Sequence, residues 1–189
     1  MTSSATTSAS ASTSAFGASL RRLYFIRFAF AVIWAGLVFA TATTAGPVLT
    51  VLLVVYPLFD AGAVLWQIRM NPDSQRSKAA EWINVVVSVI VAIALGVAST
   101  ISVSAALAVW GVWAIGAGIP QLIAAIRNRR SGGQVPQMLS GGISVFAGSA
   151  FFVQGVQGAG TITGVAGYAV LGAIFFLVSA IRLSIALRK

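Results

Sequence analysis

Long apolar stretches separated by short polar segments run along the chain from residue 23 onward. A helix that crosses a bilayer needs about 20 apolar residues at a rise of about 1.5 Å each. The stretches show no alternation of period two, which excludes a transmembrane β-barrel. The pattern therefore predicts an all-α, polytopic membrane helix bundle. The six predicted spans are residues 23–42, 47–68, 82–98, 102–126, 138–153 and 162–180.

Basic residues mark alternate ends of these spans. Clusters of Arg and Lys alternate with uncharged turns near residues 41–46, 98–104 and 154–161. Short loops rich in Lys and Arg remain in the cytoplasm during insertion, so we expect both termini to be cytoplasmic. The clusters are Arg21, Arg22 and Arg27 at the start of the first span; Arg69, Arg76 and Lys78; Arg127, Arg129 and Arg130; and Arg182, Arg188 and Lys189.

The composition supports a membrane protein and removes several classes of function. Hydrophobic residues make up 58% of the chain and charged residues 8%, whereas about a quarter of an ordinary soluble domain is charged. The net charge is +9, but the basic residues flank apolar spans, so we expect the lipid bilayer and no nucleic acid as partner. The chain has no Cys or His and no nucleophile paired with a base. We therefore expect no catalytic residues, metal or cofactor.

Two landmarks repeat along the chain. An Ile-Arg dipeptide closes the second, fourth and sixth spans, with Arg69, Arg127 and Arg182 separated by 58 and 55 residues. A glycine recurs within the first helix of each pair of spans. The register predicts three consecutive αα-hairpins, at about residues 20–70, 80–130 and 136–189. The recurring glycines are Gly36, Gly96 and Gly148.

Residues 1–19 are almost all Ser, Thr and Ala and carry no charged side chain. They offer too little apolar surface to fold, so we expect a disordered cytoplasmic tail ahead of one transmembrane domain, residues 20–189. A Ser-rich, acid-poor start followed by Arg21 and Arg22 is also typical of an organellar transit segment, and processing of this tail is the alternative.

Small residues spaced four apart predict close helix packing. Two interpretations remain open, a homo-oligomer interface and packing within one chain, and the second is favoured because six helices must already pack together. The glycines assigned to helix packing are Gly36, Gly96, Gly118, Gly148, Gly160 and Gly164.

Asp60 is the candidate for buried ionisable chemistry, because it is the acid that lies within a span and away from the basic clusters. A carboxylate at that depth is costly in lipid and should face other helices or water, or else be protonated. Pro57, three residues earlier, leaves the carbonyl of Leu53 without its helical donor, a defect that often lines a polar cavity. The favoured alternative is a structural acid bonded to a Trp, Asn or Ser on a neighbouring helix.

Two segments resemble a known family. One is Trp-Gly-Val-Trp-Ala-Ile-Gly-Ala-Gly at 110–118, continuing to Arg127, and the other is 27–39 leading past Gly46-Pro47 into Tyr-Pro-Leu-Phe-Asp-Ala-Gly at 56–62. They resemble the HdeD-like acid-resistance membrane proteins, small bacterial proteins of six spans built from repeated hairpins. The resemblance covers roughly residues 20–185. The family often has a Gly-Pro step between the helices of a hairpin, which here occurs only in the first.

The resemblance implies a bacterial plasma-membrane protein linked to stress, with no catalytic residues to carry over. The function expected from the sequence is that of a non-enzymatic integral membrane protein with a stress or acid-resistance role in the cell envelope. The alternative is a small transporter or channel that uses Asp60 as an intramembrane polar site, which requires a second polar group near Asp60 in space.

Overall fold

The computed structural model describes residues 3–41, 46–70, 78–127 and 135–188, and for residues 3–15, 78 and 80 it describes the backbone alone. Over these residues the chain forms six α-helices and no strand. The helices are α1 (Ser3–Thr41), α2 (Pro47–Met70), α3 (Lys78–Ile101), α4 (Val103–Arg127), α5 (Val135–Val156) and α6 (Thr163–Ala186).

Each helix contains a segment long and apolar enough to cross a membrane, with mean hydropathy between 1.4 and 2.3. Helices satisfy every backbone polar group internally, as hydrocarbon requires. The predicted all-α membrane fold is confirmed, and the chain is a multi-pass integral membrane protein. The first membrane segment, Phe16–Thr41, begins earlier in the chain than the sequence predicted.

The segment expected to be a disordered tail differs in the structure, where α1 begins at Ser3 and continues through it. Alanine, the strongest helix former, is interspersed with Ser and Thr there, and the helix behind it supplies the nucleus that an isolated peptide would lack. Low apolar content argued against a packed core, but it does not prevent extension of an existing helix. The predicted domain boundary at residue 20 is therefore not marked by a break in α1.

Two short connections are stabilised by specific local bonds. Between α3 and α4 the hydroxyl of Ser102 accepts a hydrogen bond from the backbone N–H of Ala105 at 3.0 Å and caps α4. After α5, Gly158 has φ of 69°, and the N–H of Ala159 donates to the carbonyl of Gln154 at 3.1 Å. This left-handed glycine ends α5, since a side chain is disfavoured at such a φ.

Contacts between helix ends show that sequence neighbours are antiparallel. The end of α2 meets the start of α3 where Gln67 Nε2 donates to Glu81 Oε1 at 3.2 Å. Gly17 in α1 lies against Leu187 just after α6. The described basic residues outside Arg27 therefore gather at one end of the bundle, called the basic end here. They are Arg21, Arg22, Arg69, Arg127, Arg182 and Arg188; Arg76, Arg129, Arg130 and Lys189 lie outside the described residues.

The helices that pack most extensively are α4 with α5, α1 with α6, and α2 with α3. The predicted hairpins pair α1 with α2, α3 with α4 and α5 with α6, and each of these pairs shares a smaller contact. The hairpin as a packing unit is therefore not confirmed. The repeated Ile-Arg dipeptides and glycines indicate which helices are joined by turns. Which helices pack most extensively depends instead on which of their faces are complementary.

The main core lies toward the end opposite the basic end. All six helices contribute to it, and Trp34 of α1 and Trp110 of α4 are its largest fully buried side chains. Toward the basic end the structure has a smaller cluster of Ala61, Val64 and Val85 between α2 and α3. The larger of the two buried clusters therefore lies away from the basic end.

Glycine allows the closest approach at the seam between α4 and α5. A Cβ added at Gly148 would lie 2.8 Å from Gly111 O, and one at Gly118 would lie 2.9 Å from Gly141 O. At Gly155 it would lie 2.5 Å from Ala108 N. Real Cβ atoms do not approach backbone so closely, so these positions require glycine. The seam glycines recur every seven residues, which places them on one face of each helix.

The other glycines assigned to packing behave differently from one another. Gly160 lies against Leu107, and a Cβ at Gly164 would lie 3.0 Å from Phe151 Cε1. At Gly96 it would meet Val54 Cγ2 at an ordinary 3.5 Å. Among the described residues no atom from outside its own stretch of helix lies within 4 Å of a Cβ built at Gly36, so the packing contact predicted for it is not found there. Its register matches that of Gly148, but its face of α1 points away from the bundle.

Candidate functional site

Asp60 lies on α2 within the membrane segment and faces a charge on α1. The Nη2 atom of Arg27 is 3.2 Å from Asp60 Oδ1, although it is not aligned for a hydrogen bond. The side chains are 13% and 23% exposed, respectively, so most of each is enclosed by protein. An ion pair held away from water neutralises two charges that would otherwise be costly in lipid.

A third helix completes the cluster. Ser88 of α3 is fully buried, and its hydroxyl donates to Asp60 Oδ2 at 3.3 Å. A bond from a serine on a neighbouring helix is one of the interpretations that the sequence left open for Asp60. The Arg27–Asp60–Ser88 cluster therefore joins α1, α2 and α3 at one depth.

Arg27 does not lie with Arg21 and Arg22 at the start of the first span, as its charge predicted, but well inside the membrane segment. Arg27 lies 11 residues into the segment Phe16–Thr41, about 16 Å along the helix. Asp60 lies 10 residues before the end of Pro47–Met70, about 15 Å from that end. In antiparallel helices these depths coincide. Matching depths from the basic end was the signal that could have identified the pair.

Aromatic rings surround the cluster. The Arg27 guanidinium carbon lies 5.2 Å from the centroid of the Phe176 ring on α6, within the range of a cation–π interaction. Phe30 and Phe59 stack beside the ion pair, with centroids 3.7 Å apart. The rings hold the guanidinium in place and exclude lipid from it.

A small cavity adjoins the ion pair. Its volume is about 30 Å³, room for one or two water molecules at about 10–15 Å³ each. Among the described residues Arg27 Nε has no hydrogen-bond partner, so a donor remains for such a water. The cavity is lined by Arg27, Phe30, Tyr56, Phe59, Asp60 and Phe176.

Pro57 is fully buried inside a continuous α2 and does not line this cavity. Pro57 leaves the carbonyl of Leu53 without a helical donor. The preceding carbonyl, Leu52 O, accepts a hydrogen bond from Trp34 Nε1 at 2.6 Å. This bond ties α1 to α2 one helical turn from Pro57. The structure therefore places Pro57 beside a polar bridge between helices, in contrast to the polar cavity that the sequence suggested.

Large side chains fill the bundle beyond the cavity. Trp34 and Trp110 stack with centroids 5.4 Å apart, and Trp113 meets Trp110 edge-on at 5.2 Å. Both stacked indoles are fully buried. They lie in the main core of the bundle.

Further buried polar groups lie on α3, α4, α5 and α6. Ser144 Oγ and Tyr168 Oη are 2.8 Å apart between α5 and α6. Asn84 Oδ1 and Trp110 Nε1 are buried and find no hydrogen-bond partner among the residues that the structure describes. Across the described residues no group of three or more His, Cys, Asp or Glu side chains is placed to hold a metal ion. The cluster around Asp60 is therefore the site with the most ionisable chemistry in the described residues.

Comparison with protein-family models, with curated proteins and with solved structures gave no match to this chain. The resemblance to the HdeD-like proteins stays a prediction made from sequence motifs.

Proposed function

We propose that this chain is a non-enzymatic membrane protein of the bacterial plasma membrane, with both termini cytoplasmic and a role in acid or envelope stress. In this proposal the Arg27–Asp60 pair is the acid-responsive element. The single observation that carries it is the ion pair itself, which joins helices within the membrane segments. The sequence motifs shared with the HdeD-like proteins support the physiological role.

Protonation of Asp60 has a defined physical consequence at this site. It removes the negative charge and leaves the Arg27 guanidinium enclosed without a counter-charge. Loss of one member of a buried pair typically costs about 3–5 kcal/mol. The seam between α1 and α2 would then loosen, because Arg27 must move toward water. With no His in the chain, a carboxyl is the group available within the membrane for such a response.

The test compares the wild type with Asp60→Asn, which resembles the protonated carboxyl in charge and volume. We expect the melting temperature of the purified wild type to fall as the pH is lowered, and that of Asp60→Asn to start low and change little. Glu81→Gln is the control, since Glu81 lies at the start of α3 and outside the cluster. If Asp60→Asn follows the wild type at every pH, Asp60 is purely structural.

The physiological part of the proposal has its own test. Survival of acid challenge is measured in cells that carry the wild type, Asp60→Asn or a deletion, with protein abundance measured in each. We expect the deletion to survive less well and Asp60→Asn to differ from the wild type at equal abundance. Equal survival of all strains would overturn the stress role.

A small transporter is the second candidate function. It requires a second polar group near Asp60, and Arg27 and Ser88 meet that requirement. A carboxylate, a hydroxyl and a cavity with room for water are the components of a proton-binding site. Proton flux into vesicles that contain the purified protein tests it. Flux equal to that of empty vesicles would exclude this candidate, and flux that persists in Asp60→Asn would exclude Asp60 as its carrier.

A further inference from the structure

A groove runs between α1 and α2 on the basic side of the ion pair. Its volume is about 180 Å³, and each of its lining residues is apolar. An apolar cavity of about 150 Å³ already accommodates a benzene-sized guest. The groove can therefore hold several carbon atoms of an extended chain. It is lined by Leu23, Ile26, Phe59, Gly62, Ala63 and Trp66.

The groove exists because α2 presents small residues to α1 at this level. Gly62 is exposed, and the described part of the chain brings no atom from outside its own stretch of helix within 4 Å of a Cβ built there. Ala63 follows it and is buried, while Leu23 of α1 is 1% exposed and forms part of the groove wall. Larger side chains at 62 and 63 would fill the space. The groove thus opens onto the face of the bundle that lies in the hydrocarbon.

Both walls of the groove lead to an arginine at the basic end. On α1, Arg22 precedes Ile26 by four residues, and on α2, Arg69 follows Trp66 by three. Residues three or four apart share one face of a helix, so Arg69 lies one turn beyond the groove on α2, while Arg22 borders it next to Leu23. Both are exposed, and within the described residues neither forms an ion pair. Trp66, also exposed, has the amphipathic ring typical of headgroup level.

We propose that this groove binds an anionic phospholipid of the leaflet on the basic side. One acyl chain occupies the groove between α1 and α2, and the headgroup phosphate lies between Arg22 and Arg69. The guanidinium group is suited to phosphate because it donates two parallel hydrogen bonds. Basic pockets between transmembrane helices bind acidic headgroups for the same reason. This site is separate from the acid response proposed above and does not depend on it.

The test measures lipid retention by native mass spectrometry of the full chain. The probes are phosphatidylglycerol and phosphatidylcholine with identical acyl chains, so that they differ in headgroup alone. We expect the wild type to retain phosphatidylglycerol preferentially. In Arg22→Gln/Arg69→Gln the affinity for phosphatidylglycerol should fall about 30-fold, since each arginine near an acidic headgroup contributes about a fivefold step. Phosphatidylcholine retention should change little.

The matched control is Arg127→Gln/Arg182→Gln, which removes two exposed arginines from the same end of the bundle but not from the groove. This control should still retain phosphatidylglycerol in preference to phosphatidylcholine. An equal loss of phosphatidylglycerol affinity in the control would overturn the proposed site. A second variant, Gly62→Leu, fills the groove and should abolish retention of either lipid. Its control is Gly116→Leu, which also has open space around the glycine. Circular dichroism checks that each variant is folded.

Three further results would contradict the proposal. Soluble glycerol phosphate carries the headgroup chemistry without a chain, and displacement of the lipid by it would show that the groove contributes nothing. A dimer that forms in wild type and is lost in Gly62→Leu would show that the groove receives a second copy of this chain. Preference that is unchanged in Arg22→Gln/Arg69→Gln would likewise refute the headgroup contact.

Discussion

The seams between α4 and α5 and between α1 and α2 hold their helices together by opposite means. Between α4 and α5, glycines let the two backbones touch, as where Gly148 faces Gly111. Between α1 and α2 the helices share less contact, and polar bridges such as Arg27 to Asp60 connect them. The close backbone contact between α4 and α5 leaves no room for another molecule. The polar bridges between α1 and α2 leave a water-sized cavity and an apolar groove. Of these two seams, the one between α1 and α2 therefore has room for other molecules.

Removing one charge from the α1–α2 seam should have the largest effect. Asp60→Asn is expected to lower the free energy of unfolding by about 3–5 kcal/mol, because the guanidinium loses its counter-charge. Arg27→Gln/Asp60→Asn should recover much of that loss, since no buried charge remains. The free energies of unfolding of the wild type, the two single variants and the double variant, measured in detergent, form a double-mutant cycle.

Arg182→Gln, at an exposed position on α6, is the control for this cycle and should change the stability by less than about 0.5 kcal/mol. Additive effects of Arg27→Gln and Asp60→Asn would show that the two side chains do not interact.

The tight seam should be sensitive to a single methyl group. Gly148→Ala is expected to cost about 2 kcal/mol, because its Cβ would lie 2.8 Å from Gly111 O and 2.9 Å from Ile115 N, and backbone cannot be displaced cheaply. Gly142→Ala on the same helix has open space and should be neutral or stabilising, as alanine is the better helix former. Melting temperatures that rank these two variants in the reverse order would contradict the glycine seam.

The hydrogen bond from α3 should contribute less. Ser88→Ala removes a donor to the carboxylate and is expected to cost about 1.5 kcal/mol, the range for a bond to a charged group. Ser99→Ala serves as its control on α3, since Ser99 bonds within its own helix to Gly96 O and its loss should be nearly neutral. The two melting temperatures, measured in one detergent, should differ in that direction.

The smallest effect compares two buried indoles. Trp34 Nε1 of α1 donates to Leu52 O of α2, whereas Trp110 Nε1 has no hydrogen-bond partner in the described part of the chain. Trp34→Phe should therefore be more destabilising than Trp110→Phe by about 1 kcal/mol, the net value of one hydrogen bond. Equal losses in thermal unfolding would mean that this bridge adds nothing to the α1–α2 seam.

The six helices could be predicted from sequence because lipid imposes one solution on long apolar segments. Which helices pack together could not be predicted, since it depends on which residues each helix turns toward its neighbours. Gly36 and Gly148 have matching places in the repeat, yet one faces open space and the other touches backbone. Within the α4–α5 seam, Gly111, Gly141 and Gly155 were missed, although their spacing of seven residues is visible in the sequence.

The candidate site was partly predictable for a related reason. Asp60 could be identified from its depth and its distance from other charges. Arg27 was assigned by its sign to a terminal cluster, although its depth from the basic end equals that of Asp60. Ser88 carries no signal that distinguishes it from other serines in apolar helices, because its role arises from the contact between α2 and α3.

The contact between α1 and α6 makes the last helix necessary to complete the first. A chain is synthesised from its N-terminus, so α1 enters the bilayer long before its most extensive partner exists. Arg27 lacks a counter-charge until Asp60 follows, and it lacks an aromatic ring against its guanidinium until Phe176 is made. Assembly of this bundle is therefore complete only after α6 has been made, and until then α1 lacks the helix that it contacts most extensively.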